Sequence, residues 1–270
     1  MGLYFSMYEF HTDYKKYFDI QLGNARQWIL PFIGEVKKVT PGMQLLEIGC
    51  GQGSLLRAFS EAGCICTGVE MYPLWLQKAN EWLAPELKAG TVRLIDSNIY
   101  DVDAEKDLGT KFDIIVLKDV IEHIHDQEKL IGWMKNFLKP DGIIFFGFPP
   151  WQMPYGGHQQ MMQGWLGKTP YWHLLPMPLF KALMKASNQY SEDLVEIKET
   201  GISIERFEKA VSKTGYKIML RKHWLINPVY EYKFGWKPSV QFRLISSIPF
   251  IRNFLTTAVY YIVTPQKATN

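Results

Sequence analysis

The sequence has few cysteines and little excess charge, and both shortages exclude whole classes of protein. Only three cysteines, Cys50, Cys64 and Cys66, occur in 270 residues. They provide no disulfide framework, and no two of them have the C-x-x-C spacing of a zinc site. Free thiols indicate a reducing compartment, so we expect a cytoplasmic protein. The net charge is only +3, which argues against a nucleic-acid partner.

The sequence also shows neither the basic N-terminal region of a signal peptide nor a long apolar run. Residues 1–13 show no basic region followed by an apolar core, so we expect no signal peptide. The longest apolar stretch, residues 248–263, is interrupted by Pro249 and Arg252. It is shorter than the roughly 20 residues that a membrane-spanning helix needs. We interpret it as a terminal helix packed on the domain. The alternative is an interfacial helix that makes a peripheral membrane contact.

Strand and helix patterns alternate in the first half of the chain. Apolar runs predict strands at residues 43–48, 65–70, 91–95, 112–117 and 143–148, separated by helices. Residues 203–213 predict a closing helix, and residues 216–225 and 229–234 predict two further strands. Such alternation predicts an α/β fold with a doubly wound, mostly parallel, seven-stranded sheet.

Changes in composition divide the chain into five predicted parts. Residues 1–40 form an N-terminal helical cap, and residues 41–150 form the α/β core. The regular pattern stops at Pro149-Pro150, so residues 151–200, rich in Pro, Gly, Trp and Met, are interpreted as a substrate lid. Residues 201–240 return to the core with a helix and strands, and residues 241–270 form a C-terminal helical tail.

The segment LLEIGCGQGS, residues 45–54, is the strongest functional signal. An apolar strand followed by a glycine-rich turn and a helix can bind a dinucleotide or S-adenosylmethionine (SAM). Ser54 stands where the dinucleotide pattern needs its last glycine. Glu47 would repel a pyrophosphate, whereas it suits the sulfonium and ammonium charges of SAM. These two residues favour SAM.

Acidic residues follow the other predicted strands at the edge where open α/β sheets bind ligands. Glu70 ends the second strand, about 20 residues after the glycines, and is expected to bind the ribose hydroxyls. Asp96, Ser97 and Asn98 follow the third strand near the expected adenine. Lys118 and Asp119 follow the fourth, beside the expected methionine moiety.

Four motifs in order resemble class I SAM-dependent methyltransferases of the ubiquinone and menaquinone biosynthesis type. They are LLEIGCGQG at residues 45–53, GVE at 68–70, FDII at 112–115 with DVIEHI at 119–124, and KPDG at 139–142. The resemblance implies SAM as methyl donor and S-adenosylhomocysteine as product. It also implies that the N-terminal helix closes over SAM; the alternative is that this helix packs against the sheet. The predicted cofactor contacts are Glu47, Gly49, Cys50, Gly51, Gly53, Glu70, Met71, Asp96, Ser97, Asn98, Lys118, Asp119 and Tyr17.

Two histidines are candidate catalytic bases. His158 follows paired glycines just after the fifth strand, and His123 belongs to the fourth-strand motif. Either imidazole could remove a proton from an acceptor near neutral pH. The aromatic and methionine side chains of the lid could form an apolar acceptor pocket or the lid's own core. The cluster of Glu122, His123, His125 and Asp126 has weak metal-ligand spacing, and we predict no metal.

We therefore predict O-methylation of a small-molecule, lipid-linked or glycan-linked acceptor. Methylation at nitrogen or carbon stays open, because the acceptor pocket carries no assignable motif. A non-catalytic SAM-binding subunit is the alternative from another class. A nicotinamide-dependent oxidoreductase is disfavoured by Glu47 and Ser54.

Overall fold

A computed structural model describes residues 13–266, which form one sheet flanked by helices. The eight strands are β1 Gln44–Ile48, β2 Ile65–Glu70, β3 Val92–Asp96, β4 Phe112–Lys118, β5 Leu138–Phe148, β6 Tyr216–Ile226, β7 Ser239–Val240 and β8 Ala258–Pro265. Their order in the sheet is β3-β2-β1-β4-β5-β8-β6-β7. Strands β1 to β5 pair in parallel, whereas β8 is antiparallel to both of its neighbours. The predicted α/β fold is confirmed, but the sheet has eight strands rather than seven.

The helices lie on both faces of this sheet. They are α1 Tyr14–Asn24, α2 Leu30–Gly34, α3 Ser54–Glu61, α4 Pro73–Trp82, α5 Ala84–Lys88, α6 Gln127–Trp133, α7 Gly164–Lys168, α8 Met177–Ala186, α9 Glu192–Thr200, α10 Ile204–Lys213, α11 Val229–Phe234, α12 Arg243–Ser246 and α13 Ile251–Phe254. A π-helical turn, Ala25–Ile29, joins α1 to α2. Residues 1–12 of the predicted cap, where no signal peptide was expected, lie outside the described residues.

Side chains of the central strands point alternately to the two faces of the sheet and so contribute to two hydrophobic cores. In β4, Ile115 and Leu117 enter one core, while Ile114 and Val116 enter the core on the opposite face. Successive side chains of a strand point to opposite faces, so a strand covered on both sides is apolar throughout. This explains why the sequence of β4 is continuously apolar.

Residues 229–234 were predicted as a strand, and this prediction is wrong because they form α11. The alternation of Val229, Glu231 and Lys233 with aromatic residues resembles a strand pattern. The local signals for a helix prevail: Pro228 precedes the first turn, and Gly235 ends the helix in the left-handed conformation with φ of 70°. Tyr230 and Phe234 then meet edge to face on one side of the helix, with ring centroids 5.3 Å apart.

The predicted helical tail at residues 241–270 is also wrong in its main part. Ala258–Pro265 is strand β8, which lies between β5 and β6 and has wholly buried side chains such as Tyr260 and Ile262. A continuous apolar run fits a buried strand as well as a buried helix. Only the short helices α12 and α13 precede it. No helix in residues 13–266 is long and apolar enough to cross a bilayer.

The segment after β5 carries a separate small core. Helices α7, α8 and α9 pack around Met162, Trp172 and Phe180, with Trp151 and Met161 at the margin. Of the aromatic and methionine side chains of the lid, Met162 and Trp172 therefore belong to the lid's own core, as one of the two sequence interpretations expected. Trp165 differs, because it is 63% exposed. We refer to residues 151–200 as the lid.

Candidate functional site

The turn between β1 and α3 holds an open backbone conformation that only glycine adopts easily. Gly49, Gly51 and Gly53 all have positive φ, of 67°, 53° and 81°. A Cβ at Gly49 would lie 2.6 Å from a methyl carbon of Val120, in the loop after β4. A Cβ at Gly51 would meet no atom within 4 Å. Gly49 thus permits close packing, whereas Gly51 borders open space where a ligand can approach the backbone.

The carboxylate of Glu70 holds this turn in place. One oxygen, Oε2, accepts a 2.8 Å hydrogen bond from the amide of Gly51. The other, Oε1, accepts 2.9 Å bonds from the amides of Met71 and Tyr72. Glu70 is buried, so each of these charge-assisted bonds is strong. Ribose binding by Glu70 stays a prediction, since the same oxygens already bind three backbone amides.

Glu47 provides a buried negative group beside the turn. It is 3% exposed, and its Oε2 has no hydrogen-bond partner among the described residues. Burial and then the charge of Glu70 raise the pKa of the Glu47 carboxyl well above its usual range. A cation at this place would offset that burial cost, as the sulfonium and ammonium groups of SAM would. The site therefore fits SAM.

The side chain of Cys50 belongs to the hydrophobic core next to the turn. It is buried, and a Cβ added at Gly68 of β2 would lie 2.7 Å from its Sγ. Its amide donates a 3.2 Å hydrogen bond to the carbonyl of Val69. A cofactor contact by Cys50 stays a prediction, and its thiol packs against Gly68 in the core that also contains Leu56 of α3.

The end of β3 lies next to Glu70, as the strand order requires. Glu70 and Asp96 are register partners, and Asp96 is exposed. Ser97 donates its amide to the carbonyl of Glu70 at 3.2 Å. Asn98 caps a short 3-10 helix through a 3.1 Å bond from the amide of Tyr100. Met71, which is 51% exposed, lies immediately after Glu70.

Lys118 and Asp119 end β4 with a strained backbone. Asp119 has φ of 56°, which is costly for a residue with a Cβ and is typical of functional sites. Its amide donates a 2.7 Å bond to the carbonyl of Gly147 on β5. The buried ammonium of Lys118 forms an ion pair with the Asp119 carboxylate. The predicted acidic residues of β1 to β4 are thus gathered at one edge of the sheet.

Glu122, His123 and His158 meet at this edge, although His158 comes from the lid. The two imidazole rings have centroids 5.3 Å apart. The Glu122 carboxyl is buried, and neither of its oxygens has a hydrogen-bond partner among the described residues. Burial and then the charge of Asp119 raise its pKa well above the usual range. His158 is held with φ of 54°, another strained position.

This cluster could also hold a metal ion. One ligand atom from each of Glu122, His123 and His158 lies within 4.8 Å of the other two. Imidazole nitrogens and a carboxylate are donors that suit zinc and related divalent ions. The sequence prediction of no metal is not tested by this geometry. The signal for the cluster is the Glu122-His123 pair in the fourth-strand motif, but His158 could be added only from the folded chain.

Desolvation by the surrounding protein lowers the pKa of His123, although the charges of Asp119 and Glu196 oppose this effect. Its ring remains accessible to solvent. A lowered pKa favours the neutral imidazole at neutral pH, which can accept a proton.

Two other histidines lie outside this cluster: His173 is in the packed interior of the lid, and His125 is on the protein surface. His173 is fully buried, and its ring nitrogens bond to the Gln159 amide at 2.9 Å and the Trp151 carbonyl at 2.8 Å. Burial lowers the pKa of His173 to about 4. His125 is exposed and lies 3.4 Å from Glu196.

Helix α1 covers the site with a polar face of which the sequence predicted only Tyr17, whereas the buried Gln21 and Asn24 were missed. Gln21 donates a 3.0 Å bond to the hydroxyl of Tyr17, and Asn24 follows on the same side of the helix. Burial and then the charge of Asp119 raise the pKa of Tyr17 to about 12, so Tyr17 lies close to the end of β4. The spacing of Tyr17, Gln21 and Asn24 was the available signal.

Helix α11 adds a lysine to the same region. The ammonium of Lys233 lies 5.7 Å from the centroid of the Tyr17 ring. Burial lowers the pKa of Lys233 to about 8, an effect opposed by the charge of Asp119. No sequence signal marked Lys233, because its element was read as a strand.

Comparisons with known proteins agree with this architecture. A family model described as a methyltransferase domain matches residues 24–184. The ubiquinone biosynthesis O-methyltransferase of Pasteurella multocida is 31% identical over 43% of this chain and 50% of that protein. The chain thus spans about half the length of such curated relatives. An uncharacterized methyltransferase of Mycobacterium leprae is 24% identical over 83% of this chain and 73% of that protein.

Solved structures extend the similarity to nearly the whole chain. A plantazolicin methyltransferase in complex with SAH has a TM-score of 0.56 at 12% identity, covering 95% of this chain and 88% of the other. A geranyl diphosphate C-methyltransferase from Streptomyces coelicolor A3(2), in complex with Mg²⁺, geranyl diphosphate and S-adenosyl-L-homocysteine, has a TM-score of 0.57 at 14% identity, covering 91% of this chain and 79% of the other. Such low identities establish the fold alone.

Proposed function

Because this chain belongs to the class I SAM-dependent methyltransferases, we propose that it methylates an oxygen of a small-molecule or lipid- or glycan-linked acceptor. We propose His158 as the base that accepts the acceptor's proton. The observation that carries this assignment is the meeting of His158 with His123 at the C-terminal edge of β4. That edge is where the glycine turn and Glu47 are suited to SAM.

SAM would supply a methyl group bonded to a positively charged sulfur. Transfer to oxygen is a direct displacement, so the protein must align the acceptor and remove one proton. Glu70 fixes the turn, and Glu47 balances positive charge. The lid carries His158 to the acceptor side, where His123, in its neutral form, is a second proton acceptor.

The decisive comparison is between His158→Ala and His125→Ala. Both remove an imidazole, but His125 lies on the surface beside Glu196. Formation of S-adenosylhomocysteine is measured with phenolic, carboxylic, amine and lipid-linked acceptors, and SAM affinity is measured by calorimetry. We expect His158→Ala to lower turnover by about 100-fold or more with SAM affinity nearly unchanged. His125→Ala should behave like the wild type, and full activity of His158→Ala would rule out the base.

A metal-assisted reaction is the second candidate, favoured by the unpartnered, buried Glu122 carboxyl. A metal at the cluster would bind the acceptor oxygen and lower the pKa of its hydroxyl. Dialysis against EDTA separates the two mechanisms. Activity that survives EDTA supports the histidine base, whereas activity that is lost and restored by Zn²⁺ or Mg²⁺ supports the metal. SAM binding without product from any acceptor would instead indicate a non-catalytic subunit, and preference for amine acceptors would indicate an N-methyltransferase.

A further inference from the structure

The segment between α11 and β8 is folded with its apolar residues outward. We call residues 236–255 the outer segment. Leu244, Phe250 and Phe242 are 77%, 68% and 65% exposed. Arg252 and Asn253 are instead buried, at 6% and 1% exposed. Other large apolar side chains on its surface are Trp236, Val240, Ile248, Ile251, Phe254 and Leu255.

Buried polar contacts hold the outer segment in this inverted arrangement. The guanidinium of Arg252 donates 2.8 Å bonds to Glu205 and Glu208 of α10. Asn253 donates to Glu205 at 2.7 Å and accepts from the amide of Ile204 at 2.8 Å. Phe250 has φ of 64°, and its amide donates a 2.9 Å bond to Glu205. The apolar side chains therefore face outward because Arg252 and Asn253 are hydrogen-bonded to α10 on the inner side.

The outer segment adjoins the elements that cover the candidate site. Its Phe254 carbonyl accepts a 3.2 Å hydrogen bond from the hydroxyl of Tyr171 in the lid. At its other end, Trp236 packs against Phe234 of α11, with ring centroids 5.3 Å apart. Helix α11 also carries Lys233, which lies over Tyr17. The exposed apolar surface is thus continuous with the lid and with α11.

All charged residues within the outer segment itself are basic. No aspartate or glutamate follows Glu231 in the sequence. Within the outer segment, Lys237 and Arg243 are exposed among the apolar side chains. Exposed aromatic and aliphatic groups beside lysine and arginine are complementary to the headgroup region of an anionic bilayer. A protein partner with the usual mixture of positive and negative charges would not explain why the outer segment lacks acidic residues altogether.

We infer that the outer segment docks the protein on membranes that contain anionic lipids. Its aromatic and aliphatic side chains enter the boundary between headgroups and acyl chains, and Lys237 and Arg243 contact the lipid phosphates. The predicted contact is therefore made by a folded segment between α11 and β8, not by a terminal helix. Docking in this orientation brings the lid to the membrane surface.

The test is flotation of the full chain with vesicles of phosphatidylcholine alone or mixed with phosphatidylglycerol. We expect binding to the mixed vesicles, and much less to phosphatidylcholine alone. The double variant Phe242→Ser/Leu244→Ser should lower vesicle binding at least tenfold, and Lys237→Gln/Arg243→Gln should remove the preference for phosphatidylglycerol. The matched control, Ile65→Ser/Met219→Ser, removes two exposed apolar side chains elsewhere, 42% and 46% exposed, and should bind like the wild type.

SAM affinity and the thermal unfolding midpoint verify that each variant is folded. The inference is overturned if the wild type does not float with either vesicle or binds both equally. It is also overturned if sedimentation without vesicles shows a dimer that Phe242→Ser/Leu244→Ser converts to a monomer, because the outer segment would then be a subunit interface. Vesicle binding is read without turnover, so its failure leaves the proposed methyl transfer untouched.

Discussion

Replacing Glu70 by glutamine separates its structural contribution from ligand binding. The wild-type carboxylate accepts three amide hydrogen bonds, from Gly51, Met71 and Tyr72, at 2.8 to 2.9 Å. Bonds to a charged group are worth about 1.5–3 kcal/mol each, against about 0.5–1.5 kcal/mol for neutral partners. In Glu70→Gln, the remaining oxygen can keep the bonds from Met71 and Tyr72 in weakened form. The new NH₂ group then faces the Gly51 amide, donor against donor.

The lost bond and the two weakened ones together predict a destabilisation of about 3 kcal/mol. Because Glu70 is 5% exposed, water offers little compensation. For a chain of this size, such a change lowers the unfolding midpoint by about 6–10 °C. Urea unfolding measures the free energy, and calorimetry measures the affinity for SAM. We expect both to fall, since the turn that borders the ligand is released.

Asp96→Asn is the control, because Asp96 is the register partner of Glu70 but is exposed. We expect it to weaken SAM binding while stability changes by less than about 0.5 kcal/mol. If Glu70→Gln behaved in the same way, with unchanged stability, the carboxylate would serve ligand binding alone. That result would refute its assignment as the support of the glycine turn.

Two further predictions concern the turn and the outer segment. Gly49→Ala should unfold at a lower urea concentration than Gly51→Ala. Both glycines have positive φ, but only the methyl group at position 49 would lie 2.6 Å from a methyl carbon of Val120. Equal unfolding midpoints would contradict this packing. Burial raises the pKa values of Glu205 and Glu208, but hydrogen bonds, including those from Arg252, outweigh it, so both are lowered from 4.5. The unfolded chain then binds more protons in acid, so this stability is present above about pH 4.5 and is lost as pH falls through the folded pKa values. Urea unfolding from about pH 6 to about pH 3 should show a shallower loss for Glu208→Gln than for the wild type.

The cofactor half of the fold was predictable because its strands carry local signals at both ends. Strand β1 is apolar and ends in Glu47 and the glycine turn, and β2 ends in Glu70. Each signal lies within one strand and the loop that follows it. The parallel arrangement then brings the strand ends together without further information.

The second half of the chain was predicted wrongly where one local sequence pattern is compatible with both a helix and a strand. The apolar residues 258–263 fit a packed helix or a strand buried on both faces, and the choice depends on β5 and β6, which are distant in sequence. The cluster of Glu122, His123 and His158 could not be predicted for the same reason, because it depends on contacts between residues that are distant in sequence. Its first two members lie in one motif, whereas the position of His158 depends on how the whole lid folds back over the sheet.

The pairing of β5 with β8 has a consequence for how the specificity of this enzyme can change. These strands are hydrogen-bonded neighbours although β6 and β7 lie between them in the chain. The lid leaves the sheet between β5 and β6, and the outer segment lies between α11 and β8. The glycine turn and its acidic residues all come before β5. Closing a longer loop between fixed ends costs little additional free energy. The segments after β5, which include the proposed acceptor and membrane contacts, can therefore change in length or sequence between relatives while the methyl-donor half keeps its geometry.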